Sequence, residues 1–168
     1  MSITIPRRIV EELGRRGISV EDVVVDLLAE ALNLDPESTA QAHLEVAVKF
    51  LEEGRSLIDR DPLQASGKLY KAAEESVKAF SIHFNLDVLS SVKKRGRWTV
   101  AELEEAVEAI SDKLGEWFIG AWDNAWTLHV WGFHEGKLNS EAVKRRVKSI
   151  ERIVVEAGKT LKEATHSS

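Results

Sequence analysis

The 168-residue chain has no cysteine, one methionine and three prolines. The missing cysteine excludes disulfides, thiolate metal sites and a cysteine nucleophile together. Three prolines and ten glycines exclude collagen-like and low-complexity classes. No segment offers the about 20 clean apolar residues of a membrane span. The nearest, Trp117 to Phe133, is interrupted by Asp123, Asn124, Thr127 and His129. The N-terminus lacks a basic stretch, an apolar run and a small-residue cleavage site, so no targeting segment is expected. Also absent are a Gly-x-Ser-x-Gly elbow, a phosphate-cradling glycine loop and a zinc-ligand cluster. A net charge of −5 and a pI near 5.6 argue against general polyanion binding, although a local basic patch is compatible with them. With 43% apolar residues, the chain carries a normal core for one domain, or one domain with a small appendage. It is expected to be soluble and cytoplasmic, and its wealth of Glu, Lys and Arg beside little Met and Gln leans toward a thermophile.

What is present is mostly helix. Ser19 precedes an apolar run, with Ile18 and Val23 at the staple positions. Ser38 with Gln41, and Thr99 with Glu102, read as capping boxes. Asp61 stands before Pro62, whose missing N–H costs nothing in a first turn. Asn139 opens the last helix. Apolar residues recur every three or four positions from Leu69 to Phe84, from Leu103 to Leu114, and from Val143 to Leu161. The pattern predicts helices over 7–16, 19–33, 39–59, 62–85, 100–114, 116–135 and 140–164, broken at Gly115, with Ser2 to Ile5 as the one strand candidate. The architecture expected is all-α: an up-and-down antiparallel helical bundle over 36–168, carrying a small N-terminal strand and helical hairpin over 1–35.

The segment from Trp117 to Glu135 holds most of the aromatic residues. As a helix it is apolar almost all round, which predicts enclosure by other helices or by a second copy. One stripe is Phe118, Ala121, Ala125, Leu128 and Gly132; another is Ile119, Trp122, Trp126, His129 and Phe133. Trp122, Trp126 and Phe133 are therefore the expected interface of a homodimer. Asp123, His129 and His134 are the candidates for catalysis should the protein be an enzyme, with Thr127 beside them and Arg145 or Arg146 as phosphate holder. His129 and His134 stand five apart, about 140° around an α-helix, where paired metal ligands want three or four. No metal and no cofactor are expected. Two basic clusters, Lys93, Lys94, Arg95 and Arg97 in a loop, and Lys144, Arg145, Arg146 and Lys148 at a helix start, could receive an anionic or protein partner.

Three motifs in order, Leu51-Glu52-Glu53-Gly54-Arg55 with Asp61 to Glu75, Gly96-Arg97-Trp98-Thr99, and Leu128 to Glu135, make the chain resemble the archaeal PaREP paralogue family over about residues 7 to 160. That resemblance implies a HEPN-like bundle, commonly dimeric, without a settled biochemical role. HEPN domains that cut RNA carry Arg and His separated by four to six residues, the arginine on phosphate and the histidine in acid–base chemistry. Trp122, Asp123 and Asn124 hold the arginine positions before His129, and Thr127, Leu128 and His129 those before His134. His43 and His83 have none either. The expectation is therefore a non-catalytic, dimerising protein that takes a nucleotide, RNA or protein partner, with a metal-independent RNase as the alternative. The N-terminal unit also resembles a ribbon-helix-helix module. Residues 2–33 would then bind DNA, with Ser2 and Thr4 in the major groove and Arg7 and Arg8 on phosphates.

Overall fold

The computed structural model describes residues 2–166, and the protein is an all-α helical bundle. Its helices are α1 (Arg7–Arg15), α2 (Val20–Ala31), α3 (Pro36–Leu57), α4 (Pro62–His83), α5 (Val88–Arg95), α6 (Val100–Leu114), α7 (Trp117–Thr127) and α8 (Ser140–His166). A π-helix, Leu128–His134, continues α7. Among the described residues no helix is long and apolar enough to cross a membrane.

The local chemistry of the helix starts is mostly as expected. Asp61 accepts the Gln64 N–H at 3.0 Å, with Pro62 opening α4. Thr99 and Glu102 close the reciprocal box of α6. Asn139 accepts the Ala142 N–H at 2.9 Å. Three expectations fail. The cap of α3 is Asp35, which accepts the Ser38 N–H at 2.8 Å, because Pro36 fits the first turn and lets the helix start earlier. The basic segment read as a loop is the end of α5, which stops at Gly96 in the left-handed conformation, φ 75°. Residues 2–5 are not a strand: strand hydrogen bonds need a second backbone, and no strand exists among the described residues to supply one.

Helix α4 is the axis of the molecule, touching α3, α5, α6, α7, α8 and the π-helix. The short turn over 58–61 folds α3 back along it antiparallel. Residues 72–81 are all buried, so this stretch of the helix is enclosed on every side. Phe80 meets Phe118 edge-on at 5.5 Å, and Leu69, Val77, Ile110, Leu128, Ile150 and Ile153 fill the space around them. Each such side chain contributes about 1.5–3 kcal/mol by leaving water. Ser66, Ser76 and Ser81 donate to carbonyls one turn back at 2.7–2.9 Å, which lets hydroxyls sit in an apolar wall.

The aromatic segment is enclosed on one face and open on the other. Phe118, Ala121, Ala125, Leu128 and Gly132 form the buried stripe as expected. The second stripe is only partly covered: Ile119 and Phe133 are exposed, and Trp126 and His129 are half-buried. Trp131 is 54% exposed. Burial all round is thus corrected, since large rings that are mostly covered on one edge still present another to solvent.

Candidate functional site

The core of α4 carries charge. Glu74, Glu75 and Lys78 are buried among alanines and Phe80, as is His43 of α3. Spacings of three and four put the Lys78 ammonium 3.0 Å from each glutamate. The second Glu75 oxygen lies 2.5 Å from His43 Nδ1, and His43 Nε2 lies 2.9 Å from Asp26 of α2. Lys71 meets Glu74 at 3.4 Å. An unbroken chain of ion pairs therefore runs Asp26, His43, Glu75, Lys78, Glu74, Lys71. Burial alone pushes His43 down, but its hydrogen bonds to Asp26 and Glu75 outweigh that and raise it above the usual histidine value. Burial pushes Glu75 up, but the His43 hydrogen bond and the Lys78 charge hold it below the ordinary carboxylate range.

The last members of this chain line a cavity of about 260 Å³. Tyr70, Lys71, Glu74 and Lys78 form its floor on α4; Gly17 and Ile18 come from the turn before α2 and Val23 from its first turn; Arg97, Trp98 and Thr99 lead into α6; and His129 comes from the π-helix. The α6 entrance is fixed by Glu102. Its carboxylate accepts from the Thr99 hydroxyl and backbone and pairs with Arg95 at 3.1 Å. The Thr99 hydroxyl, with Arg95 and against burial, holds Glu102 below its ordinary value.

The π-helix sets the remaining wall. It lies tight on α4 because both surfaces carry glycine at the crossing. A Cβ at Gly67 would stand 2.8 Å from the Phe133 ring, and one at Gly132 would collide with Ser66. The i to i+5 bond from Glu135 N–H to the Val130 carbonyl, 2.9 Å, marks the wider turn. In that turn residues five apart stack, so the 140° separation expected from α-geometry is wrong here. His129 Nε2 and His134 Nε2 lie 3.3 Å apart. The His129 ring also stacks on Tyr70 at 3.9 Å.

The residues singled out in the sequence are dispersed. Arg97 and His129 reach the cavity; Asp123, Arg145 and Arg146 do not line it. Asp123 is exposed on α7, its carbonyl accepting from Thr127. Arg95 is tied to Glu102, Lys144 to Asp59 at 2.6 Å, and Arg146 donates to its own Ala142 carbonyl. Lys93, Lys94 and Arg145 point to solvent. Trp122 is 1% exposed and donates to Glu104 at 2.7 Å, so it cannot meet a second copy. Sequence reading missed Tyr70, Lys71, Glu74, Lys78, His43 and Asp26. The available signal was a Glu-Glu and a Lys one turn apart inside a segment otherwise of small and apolar residues.

An all-α bundle built on one buried, charge-bearing helix is the class these observations define. The chain belongs to the archaeal PaREP1/PaREP8 family, which matches residues 42–154. It is similar to a crystal structure of a protein from Sulfolobus solfataricus, with 36% identity, a TM-score of 0.64, and coverage of 69% of this chain and 96% of that one. A solution structure of the same structural-genomics target gives 35% identity and a TM-score of 0.57 over 73% of this chain and 91% of that one. No curated protein matches.

Proposed function

We propose that this protein is a non-catalytic binding protein of HEPN-like type that takes a phosphate-bearing ligand of the nucleotide class in the α4 cavity. The observation that carries the reading is the convergence of Lys71, Lys78 and Arg97 with Tyr70, Trp98 and His129 around one 260 Å³ space. Cationic donors suit phosphate oxygens, and ring faces suit a base. Glu74, with Glu75 behind it, offsets two of the three positive charges through Lys71 and Lys78, so one positive charge remains, and the exposed Arg97 presents it. The lack of an arginine in register with any histidine supports binding without RNA cleavage. Titration calorimetry with adenosine monophosphate and with adenosine tests this. The nucleotide binds and the nucleoside binds at least tenfold more weakly, and Arg97→Ala weakens only the nucleotide. Equal binding of both, or no effect of Arg97→Ala, removes the reading.

We infer further that the protein is a homodimer and that residues 1–35 are the appendage that makes it so, in place of the aromatic helix. The family match begins at residue 42, leaving this hairpin outside it. Ile3, Ile9, Val10, Leu27, Leu28 and Leu32 are exposed there, and α1 buries no residue. A hairpin of this size gains its burial from a partner surface. Light scattering coupled to sizing should give twice the chain mass for the whole protein and a single mass without residues 1–33. A monomer at high micromolar concentration ends this reading.

A further inference from the structure

We propose that His129 and His134 form a two-histidine chelate for a divalent transition metal, with Zn²⁺ as the fitting ion. His129 also lines the α4 cavity, but His134 does not, and zinc binding is read separately from nucleotide binding.

The geometry begins with the backbone. In an α-helix these rings would diverge; the π-helix brings both Nε2 atoms to one point, 3.3 Å apart. Tetrahedral Zn²⁺ with nitrogen ligands at about 2.0–2.1 Å holds those nitrogens about 3.3 Å from each other. The separation is therefore the bite of a chelate. In the metal-free protein the same two nitrogens meet as an imidazole–imidazole hydrogen bond at that distance.

The ligands are also held in place. His129 is stacked on Tyr70 at 3.9 Å, with Trp126 at 5.2 Å, while the His134 ring stands edge-on to it at 82° and packs beside Phe133. The His129 ring, held by Tyr70 and Trp126, loses little freedom on binding metal, the supporting role that outer contacts play in metal sites, while the exposed His134 closes on it. The π-helix carrying them is itself pinned by the Gly132–Ser66 and Phe133–Gly67 contacts. Among the described residues no third His, Asp or Glu completes a cluster, so two protein nitrogens leave positions open for water or an exchangeable ligand. Such a site is open and reversible.

Equilibrium dialysis of the tag-free, full-length protein against Zn²⁺ at pH 7.5 tests the assignment, with His83→Gln as the control for adventitious binding. One Zn²⁺ per chain is expected, unchanged in His83→Gln and weakened at least tenfold in both His129→Gln and His134→Gln. His134 is exposed, so its variant keeps the fold, which circular dichroism verifies. Loss in only one variant, or in neither, overturns the chelate. One Zn²⁺ per two chains also overturns it, since the metal would then lie between copies.

Discussion

Helices α4 and α1 respond to water in opposite ways. Helix α4 buries an ammonium, two carboxylates and three serine hydroxyls, whereas α1 leaves Ile9 and Val10 in solvent. Side-chain polarity alone would have put them the other way round. What decides burial is the set of neighbours: α4 has six elements around it, and every charge in it meets a partner. Helix α1 has no such surroundings within one chain. A buried charge is tolerated where it is fully paired, and an apolar side chain stays in solvent where the chain packs nothing against it.

The largest effect should come from breaking the α4 network at its centre. Glu75 serves both His43 and Lys78, so Glu75→Ala leaves two buried groups short of a partner. Loss of one member of a buried pair costs about 3–5 kcal/mol. Urea denaturation should show it as a lower midpoint, and a change under 1 kcal/mol would mean that water enters α4 readily. Next comes the glycine contact. Gly132→Ala places a methyl group against both the Cβ and the hydroxyl of Ser66, and a Cβ cannot rotate away. The expected cost is about 1–3 kcal/mol, partly restored by Ser66→Gly in the double variant. No restoration would show that the π-helix, not the crossing, is what the methyl disturbs.

These two sites also show what could be read from the chain beforehand. The bundle was legible because caps such as Asp61-Pro62 and Thr99 with Glu102, and the stripe along Val143 to Leu161, are local signals that tertiary packing did not override. Helix α5 was hidden because its eight residues end in Lys93-Lys94-Arg95, a composition shared with solvated loops. The His129–His134 contact was hidden by the assumption of 100° per residue, which the π-helix violates. The cavity was hidden because its walls come from segments as far apart as Gly17 and His129. Spacing along a helix reports neighbours on that helix and nothing of the others.

A smaller effect follows from pH, at the point where the two regions touch. His43 links Asp26 of the hairpin to Glu75 of the core. Its folded pKa is raised, so its contribution is fully present below the unfolded value, about 6.5. It is lost as pH climbs through the folded value. Glu75 is lowered, so its contribution is present above the ordinary carboxylate range and lost as pH falls through its folded value. The protection of α2 amides, exchange corrected for its intrinsic base catalysis, should therefore be greatest between the carboxylate and histidine ranges and fall toward alkaline pH. His43→Gln should flatten the alkaline limb. Persistence of that limb in the variant would place the switch elsewhere.

The smallest effect on the bundle should come from removing the hairpin altogether. Residues 34–168 keep α3 to α8 and the whole α4 wall, and lose the Asp26 contact, the buried Ala29 and one wall of the cavity. Asp26 is partly exposed, so its pairing is screened by solvent and worth little. The melting temperature of the truncated monomeric bundle should fall by no more than about 4 °C, the equivalent of about 1 kcal/mol at this size. Two further readouts separate a loosely attached arm from an integral layer. His43, left with Glu75 as its one carboxylate partner, should titrate at lower pH by NMR than in the whole chain. If the proposed pairing through residues 1–35 holds, the melting temperature of the full protein rises with protein concentration by mass action and that of the truncated protein does not. A fall of tens of degrees on truncation would mean that α1 and α2 stabilise α4 directly, and that the contrast between the two regions is one of degree.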